Sequence, residues 1–202
     1  MNATDNGALS VHGVNPQHLV EKILRNRIYD SMYWKEQCFG LTAETLVDKA
    51  IELTYIGGHF GGNQQPTPFL CLLLKMLQIQ PDMEIVVEFI KNGDYKYVTI
   101  LGAFYLRLIG KPVEIYPLLE ELLADYRKIR KRTTLGWEML HVDEVADFLL
   151  KEEYFCDIAL PHLVDRYQLE STNALKKYVS PLETDFVSDE ESDEDGDDDD
   201  SD

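Results

Sequence analysis

Apolar residues return along this chain at helical intervals, in short runs separated by clear punctuation. Asn15 precedes Pro16, an N-cap followed by proline at the first helical position. After it Leu19, Val20, Ile23, Leu24 and Ile28 form one stripe. Thr42 starts a second segment with Leu46, Val47, Ala50, Ile51 and Leu53. Thr67-Pro68 starts a third, in which Phe69, Leu70, Cys71, Leu72, Leu73, Leu74, Met76 and Leu77 leave almost no polar side; that pattern predicts a helix surrounded by others. Pro81-Asp82 opens the next, with Ile85, Val86, Val87, Phe89 and Ile90. Asn92-Gly93-Asp94 then separates it from a helix carrying Tyr97, Leu101, Phe104, Tyr105 and Leu108 on one face. Beyond the break at Gly110-Lys111-Pro112, the cleanest period of all, Ile115, Leu118, Leu119, Leu122, Tyr126 and Ile129, predicts a helix reaching residue 129, with Pro117 disturbing its start. Asp143 caps a short helix with Val145, Ala146 and Leu149, and Pro161 opens a last one with Leu163, Val164 and Tyr167.

Two stretches fall outside this rhythm. Gly57-Gly58-His59-Phe60-Gly61-Gly62-Asn63 is too rich in glycine for a regular element and reads as a connector. Residues 130–142 lose the helical period, and a β-hairpin around Leu135-Gly136 would put Trp137 and Met139 on one side. The pattern therefore predicts an all-α fold: a compact multi-helix domain with one small β-hairpin near residues 130–142. It divides the chain into a flexible N-terminus over 1–10, a helical domain over 11–182 with its edge at Ser180-Pro181, and an acidic tail over 183–202 that is expected to be disordered.

Charge sharpens that division. The 202 residues carry 19 Lys+Arg against 37 Asp+Glu, a formal charge of −18. Thirteen of the acids and none of the bases lie in 183–202, so the body is only mildly acidic. An apolar content of 45% is enough for a core in a chain of this length. The run Phe69–Leu74 is far too short to span a membrane, and the first fifteen residues lack the basic start and apolar core of a signal peptide. Cys38, Cys71 and Cys156 match no zinc spacing and read as buried free thiols.

Catalytic chemistry is hard to assemble from these residues. Gly62 is followed by Asn63 rather than by Lys-Ser or Lys-Thr, so the glycine segment lacks the lysine of a phosphate-cradling loop. Histidines 12, 18, 59, 141 and 162 form no metal-ligand spacing, and no Gly-x-Ser-x-Gly is present. No catalytic, metal-binding or cofactor-binding residue is expected, and the protein reads as a non-enzyme. Binding is the alternative. Gly57, Gly58, Gly61, Gly62 and Asn63 would let a partner peptide lie close to the backbone. Tyr33, Trp34 and Tyr55 are either partner anchors or core. On this reading a charge placed at Gly58 or Gly61 weakens partner binding while the domain stays folded. Arg127, Lys128, Arg130, Lys131 and Arg132 are open to three readings: a nuclear-import signal, a contact for RNA phosphates, or the solvated C-terminus of a helix. Ser188 and Ser192 each have an acid three residues on, which suits acid-directed kinases; the plain reading of the segment is a solubilising tail.

Specific strings also carry a resemblance. His12-Gly13-Val14-Asn15-Pro16-Gln17, Tyr33-Trp34-Lys35-Glu36-Gln37-Cys38-Phe39-Gly40-Leu41-Thr42 and Gly57-Gly58-x-x-Gly61-Gly62-Asn63 leading into Pro66-Thr67-Pro68-Phe69-Leu70-Cys71-Leu72 resemble the pre-mRNA-splicing factor 38 family. So do Asp125-Tyr126-Arg127-Lys128-Ile129, His141-Val142-Asp143-Glu144 and Cys156-Asp157-Ile158, and the likeness runs from about residue 11 to about 170. The resemblance implies a non-enzymatic helical scaffold in the nucleus, associated with the tri-snRNP and required for spliceosome activation. Its implied partners are spliceosomal proteins of the precatalytic complex, including a zinc-finger protein and a long helical protein. Direct contact with small nuclear RNA or pre-mRNA through 127–132 is the alternative reading. The acidic C-terminal segment departs from the arginine/serine-rich tail that animal members often carry.

Overall fold

The computed structural model describes residues 2–179. The acidic segment, with Ser188 and Ser192, lies outside the described residues. Two compact units divide the chain after Val164.

In the first unit the Asn15 side chain accepts from the Gln17 amide, as expected of an N-cap, but the turn it starts is a short 3-10 segment, Pro16–Leu19. The predicted single stripe breaks at Val20-Glu21 and resumes as α1 (Lys22–Asp30), followed by α2 (Met32–Gln37) and α3 (Ala43–Ile51), which Thr42 caps. The glycine segment is not the irregular connector its composition suggests. Ile56–Gly57 is β1, His59–Phe60 is β2, and Gln65–Pro66 is β3, paired with β2. Next come α4 (Pro68–Ile79), α5 (Met83–Ile90), α6 (Lys96–Ile109) and α7 (Pro112–Glu121). A 3-10 turn over Leu122–Ala124 ends the last of these before Tyr126 and Ile129, which the period had placed on the helix. The hairpin is present, two residues earlier than predicted: β4 (Lys128–Arg132) and β5 (Trp137–His141). α8 (Val142–Lys151) follows directly, and β6 (Tyr154–Phe155) pairs with β7 (Ile158–Ala159) in a further hairpin. The fold is thus mostly helical with small sheets, a correction to the all-α expectation. The other strands escaped the pattern because a two-residue strand has no period to read.

α4 and α6 form the centre. Every residue from Phe69 to Gln78 is buried, as is every residue from Val98 to Leu108. Thr67 positions α4: its buried hydroxyl donates to the Gly57 carbonyl (2.5 Å) and accepts from the Leu70 amide (3.2 Å). A line of rings, Phe69–Phe104–Phe155–Phe148, joins α4, α6, β6 and α8 at centroid spacings of 6.1, 5.7 and 5.8 Å. Such contacts add to the area buried. The first residues, expected to be flexible, are strapped to this core. The Gln17 amide donates to the Asn2 carbonyl, Gln78 donates to the Ala3 carbonyl (2.6 Å), and Gln80 exchanges two hydrogen bonds with the Leu9 backbone. These glutamines sit among apolar neighbours, so periodicity alone hides their role.

The second unit contains α9 (Arg166–Ser171), five residues later than the helix expected at Pro161. Arg166 is paired with Glu170 one turn on and lies 5.2 Å from the Tyr178 ring.

Candidate partner-binding surface

Strand pairing brings together the two segments that sequence reasoning singled out separately. β1 runs parallel to β4 with Gly57 opposite Arg132, and β5 closes the sheet in the order β1-β4-β5. The glycine segment and the basic stretch are therefore adjacent parts of one surface. The basic stretch lies on a strand, not at a helix C-terminus; the chain turns into β4 because α7 has already ended.

Around the glycines the packing is uneven. A side chain at Gly58 would collide with the Asp157 carboxylate and the Cys156 backbone. Cys156 and Asp157 form the β6–β7 turn with φ of 48° and 64°, the left-handed pair of a tight hairpin turn. Asp157 Oδ2 accepts from the His59 amide (2.6 Å) and faces His59 Nδ1 at 2.5 Å, which pins the start of β2. Gly58 is therefore packing, and the expectation that a charge there would leave the fold intact is corrected. Gly61, Gly62 and Asn63 form the β2–β3 loop, and added Cβ atoms at the two glycines meet open space.

That loop borders a groove of about 580 Å³ lined by Tyr33, Tyr55, Phe60 and Asn63 together with Arg27, Asp30 and Met32 from the α1–α2 turn. Three residues proposed from sequence, Tyr33, Tyr55 and Asn63, thus meet in one place. Trp34 does not join them: it is 1% exposed, packed at a tilt against Tyr29 and hydrogen-bonded through its indole N–H to Asn2. Helical geometry decides the difference, because consecutive residues of α2 point about 100° apart. Phe60, Arg27 and Met32 were missed; an aromatic beside paired glycines was the available signal. Burial pushes the Tyr33 phenol well above its ordinary pKa, and that of Tyr55 rises for the same reason, partly offset by Arg132. Both hydroxyls are neutral groups at physiological pH.

Next to the groove the five cations sort into different roles. Arg127 is consumed by the fold: it clasps Asp125 through Nε and Nη2 (2.9 and 2.6 Å) and donates to the Gly93 carbonyl (2.5 Å). Burial works against the Asp125 charge, yet the Arg127 hydrogen bonds prevail and hold its carboxyl below the usual range. Lys131 pairs with Glu138 across the hairpin at 3.2 Å. Arg132 lies between the Phe60 and Trp137 rings, 5.4 and 4.8 Å from their centroids, and Arg130 lies 5.5 Å from Trp137. Tyr55 meets Trp137 edge-on at 5.2 Å. Lys128 is exposed. Alternation along the strand places Lys128, Arg130 and Arg132 on one face with Trp137, Met139 and His141.

The thiols do not add reactivity. Burial pushes Cys38, Cys71 and Cys156 each up to about 12. Among the described residues no group of three or more His, Cys, Asp or Glu could hold a metal ion, and no helix is long and apolar enough to cross a membrane.

A helical body that presents an aromatic groove beside a basic, aromatic-rich sheet face has the construction of a macromolecule-binding module. The model of the PRP38 family matches residues 9–173, and the chain belongs to that family. It is 61% identical over 186 residues to pre-mRNA-splicing factor 38 of Arabidopsis thaliana, covering 92% of this chain and 52% of that protein. It is 59% identical over 185 residues to pre-mRNA-splicing factor 38A of Homo sapiens, covering 91% and 59%. The chain thus spans little more than half the length of these curated relatives. Among solved structures it resembles a chain of the Snu23–Prp38–MFAP1(217–258) complex of Chaetomium thermophilum, with a TM-score of 0.83 and 39% identity, covering 92% of this chain and 98% of that one.

Proposed function

We propose that this protein is a pre-mRNA splicing factor acting as a non-enzymatic interaction scaffold of the nuclear spliceosome, associated with the tri-snRNP and required for spliceosome activation. Residues 11–182 would be the scaffold, and 183–202 an acidic tail phosphorylated at Ser188 and Ser192. The observation that carries the reading is the likeness to a chain solved in a complex with Snu23 and MFAP1(217–258), over nearly all of that chain. Its partners would be the counterparts of Snu23, taken as the zinc-finger protein, and of MFAP1, taken as the long helical one. The groove between the α1–α2 turn and the β2–β3 loop, with Tyr33, Tyr55, Gly61, Gly62 and Asn63, is the proposed seat for one of them. Ion pairing of Arg127 and Lys131 within the fold leaves Lys128, Arg130 and Arg132 as the cations of the basic stretch that an RNA or a protein could meet.

Co-precipitation with purified Snu23 and the MFAP1 segment tests this. The wild-type chain should retain both. Gly62→Asp, which adds a charge in open space, should weaken retention of at least one by about tenfold with the melting point unchanged. Retention of both by the variant would move the site elsewhere, and failure of the wild type to retain either would remove the scaffold reading.

A further inference from the structure

The outer edge of the basic hairpin is open. Thr133 N–H donates to the Gly136 carbonyl (2.9 Å) and Val142 N–H to the Arg127 carbonyl (3.2 Å). Bonded and non-bonded pairs alternate in an antiparallel ladder. Those two closures therefore make Lys131–Glu138 and Ile129–Leu140 the bonded pairs, and Arg130–Met139 and Arg132–Trp137 the non-bonded ones. The backbone N–H and C=O of Trp137 and Met139 consequently point away from β4. No hydrogen bond from the described residues reaches them, whereas the next outward amide, at His141, is taken by Glu144 (2.7 Å). Edges of this kind are ordinarily blunted by a charge, a proline or a bulge. This one carries a single acid, Glu138, paired with Lys131 across the hairpin, and exposes Trp137 (55%) and Met139 (66%), next to Leu135 at the turn (99%).

We propose that β5 accepts an extended, acidic segment of another protein as an added strand. The proposal rests on reading the chain as a binding module and specifies what one of its surfaces takes. Main-chain groups of Trp137 and Met139 would supply the pairing. Apolar contact with Trp137 and Met139 would add area, and carboxylates at alternate positions would face Lys128, Arg130 and Arg132. Glu138 points to the other side of the hairpin with Lys131, and Glu144 reaches only the His141 end of this face. RNA would gain from the cations but not from the strand edge or the aliphatic side chains. A second copy of β5 would bring two sets of like cations onto one face.

The test is fluorescence anisotropy with a labelled short peptide alternating Asp and Val, with a single-stranded oligouridylate in parallel. Met139→Pro removes the outward N–H without touching the β4 ladder, a position at which proline is tolerated on an edge. It should weaken peptide binding about tenfold while the circular dichroism and melting point hold. The double variant Arg130→Gln with Arg132→Gln should also weaken it and flatten its dependence on salt. If Met139→Pro disturbs the fold, the amides of Trp137 and Met139 in the wild-type chain should become protected from hydrogen exchange when the peptide is added. Peptide binding indifferent to Met139→Pro with no such protection, binding of the oligouridylate alone, or a concentration-dependent dimer dispersed by Met139→Pro would each overturn the proposal. None of these readouts uses a splicing protein, so failure here and failure of the scaffold reading are separate results.

Discussion

Adjacent glycines in this protein have opposite duties. Gly58 lies where Asp157 and the Cys156 backbone leave no room for a side chain, and Gly61 sits in open space with φ of 71°. Gly58→Ala should therefore lower stability by about 2 kcal/mol or more, because it displaces the carboxylate that pins His59. Gly61→Asn should stay within about 1 kcal/mol, since asparagine tolerates the left-handed region. Urea unfolding of the two variants checks the contrast, and equal losses would refute it. The sequence presents these residues as one motif, Gly-Gly-x-x-Gly-Gly. Only the arrival of the β6–β7 turn, whose Asp157 is 98 residues on from His59, separates packing from surface. The same holds for Tyr33 and Trp34, neighbours of which one lines the groove and the other is buried.

At the scale of elements, the basic stretch is a strand whose position is set by Arg127. Its guanidinium joins the chain before β4 to the α5–α6 turn by bonds to Asp125 and to the Gly93 carbonyl. Arg127→Met should cost about 2 kcal/mol at neutral pH, the range for hydrogen bonds to charged groups. The pH dependence follows from the depressed Asp125 pKa. The stabilisation is present above the unfolded carboxyl value near 4 and is lost as pH falls through the lower folded value. Unfolding curves of wild type and variant should thus differ at pH 7 and converge below about pH 3; a constant gap would rule out the ion pair as the cause. Periodicity located α3, α4, α5, α6 and α8 to within a few residues, because each buries a continuous stripe. It carried the seventh helix on to Ile129 because Ile129 is buried, but in β4, where the partner on the other side is a strand.

For the whole molecule, the three free thiols act together. Each has a folded value near 12 against an ordinary value of 9.0, with burial as the main cause. A raised thiol pKa leaves stability intact below the unfolded value and removes it as pH climbs from about 9 towards 12, by up to about 1.4 kcal/mol per pH unit for each group. The buried phenols of Tyr33 and Tyr105, raised by the same burial, steepen that alkaline loss. In the native state at pH 8 Ellman's reagent should find no thiol, and in urea it should find all three. A rapidly reacting native thiol would contradict the packing.

What the sequence determined by itself was the helical body, its central helix, its caps at Asn15, Thr42 and Thr67, and the family it resembles. These depend on spacing within a few residues and on ordered strings, both of which a linear chain displays. Tertiary structure alone decided that Gly57 lies beside Arg132, that Arg127 and Lys131 are spent on Asp125 and Glu138, and that Trp137 and Met139 hold an unpaired strand edge. Each of these is a pairing across the fold, and a residue's neighbours in space, unlike its neighbours in the chain, exist only after the core has closed.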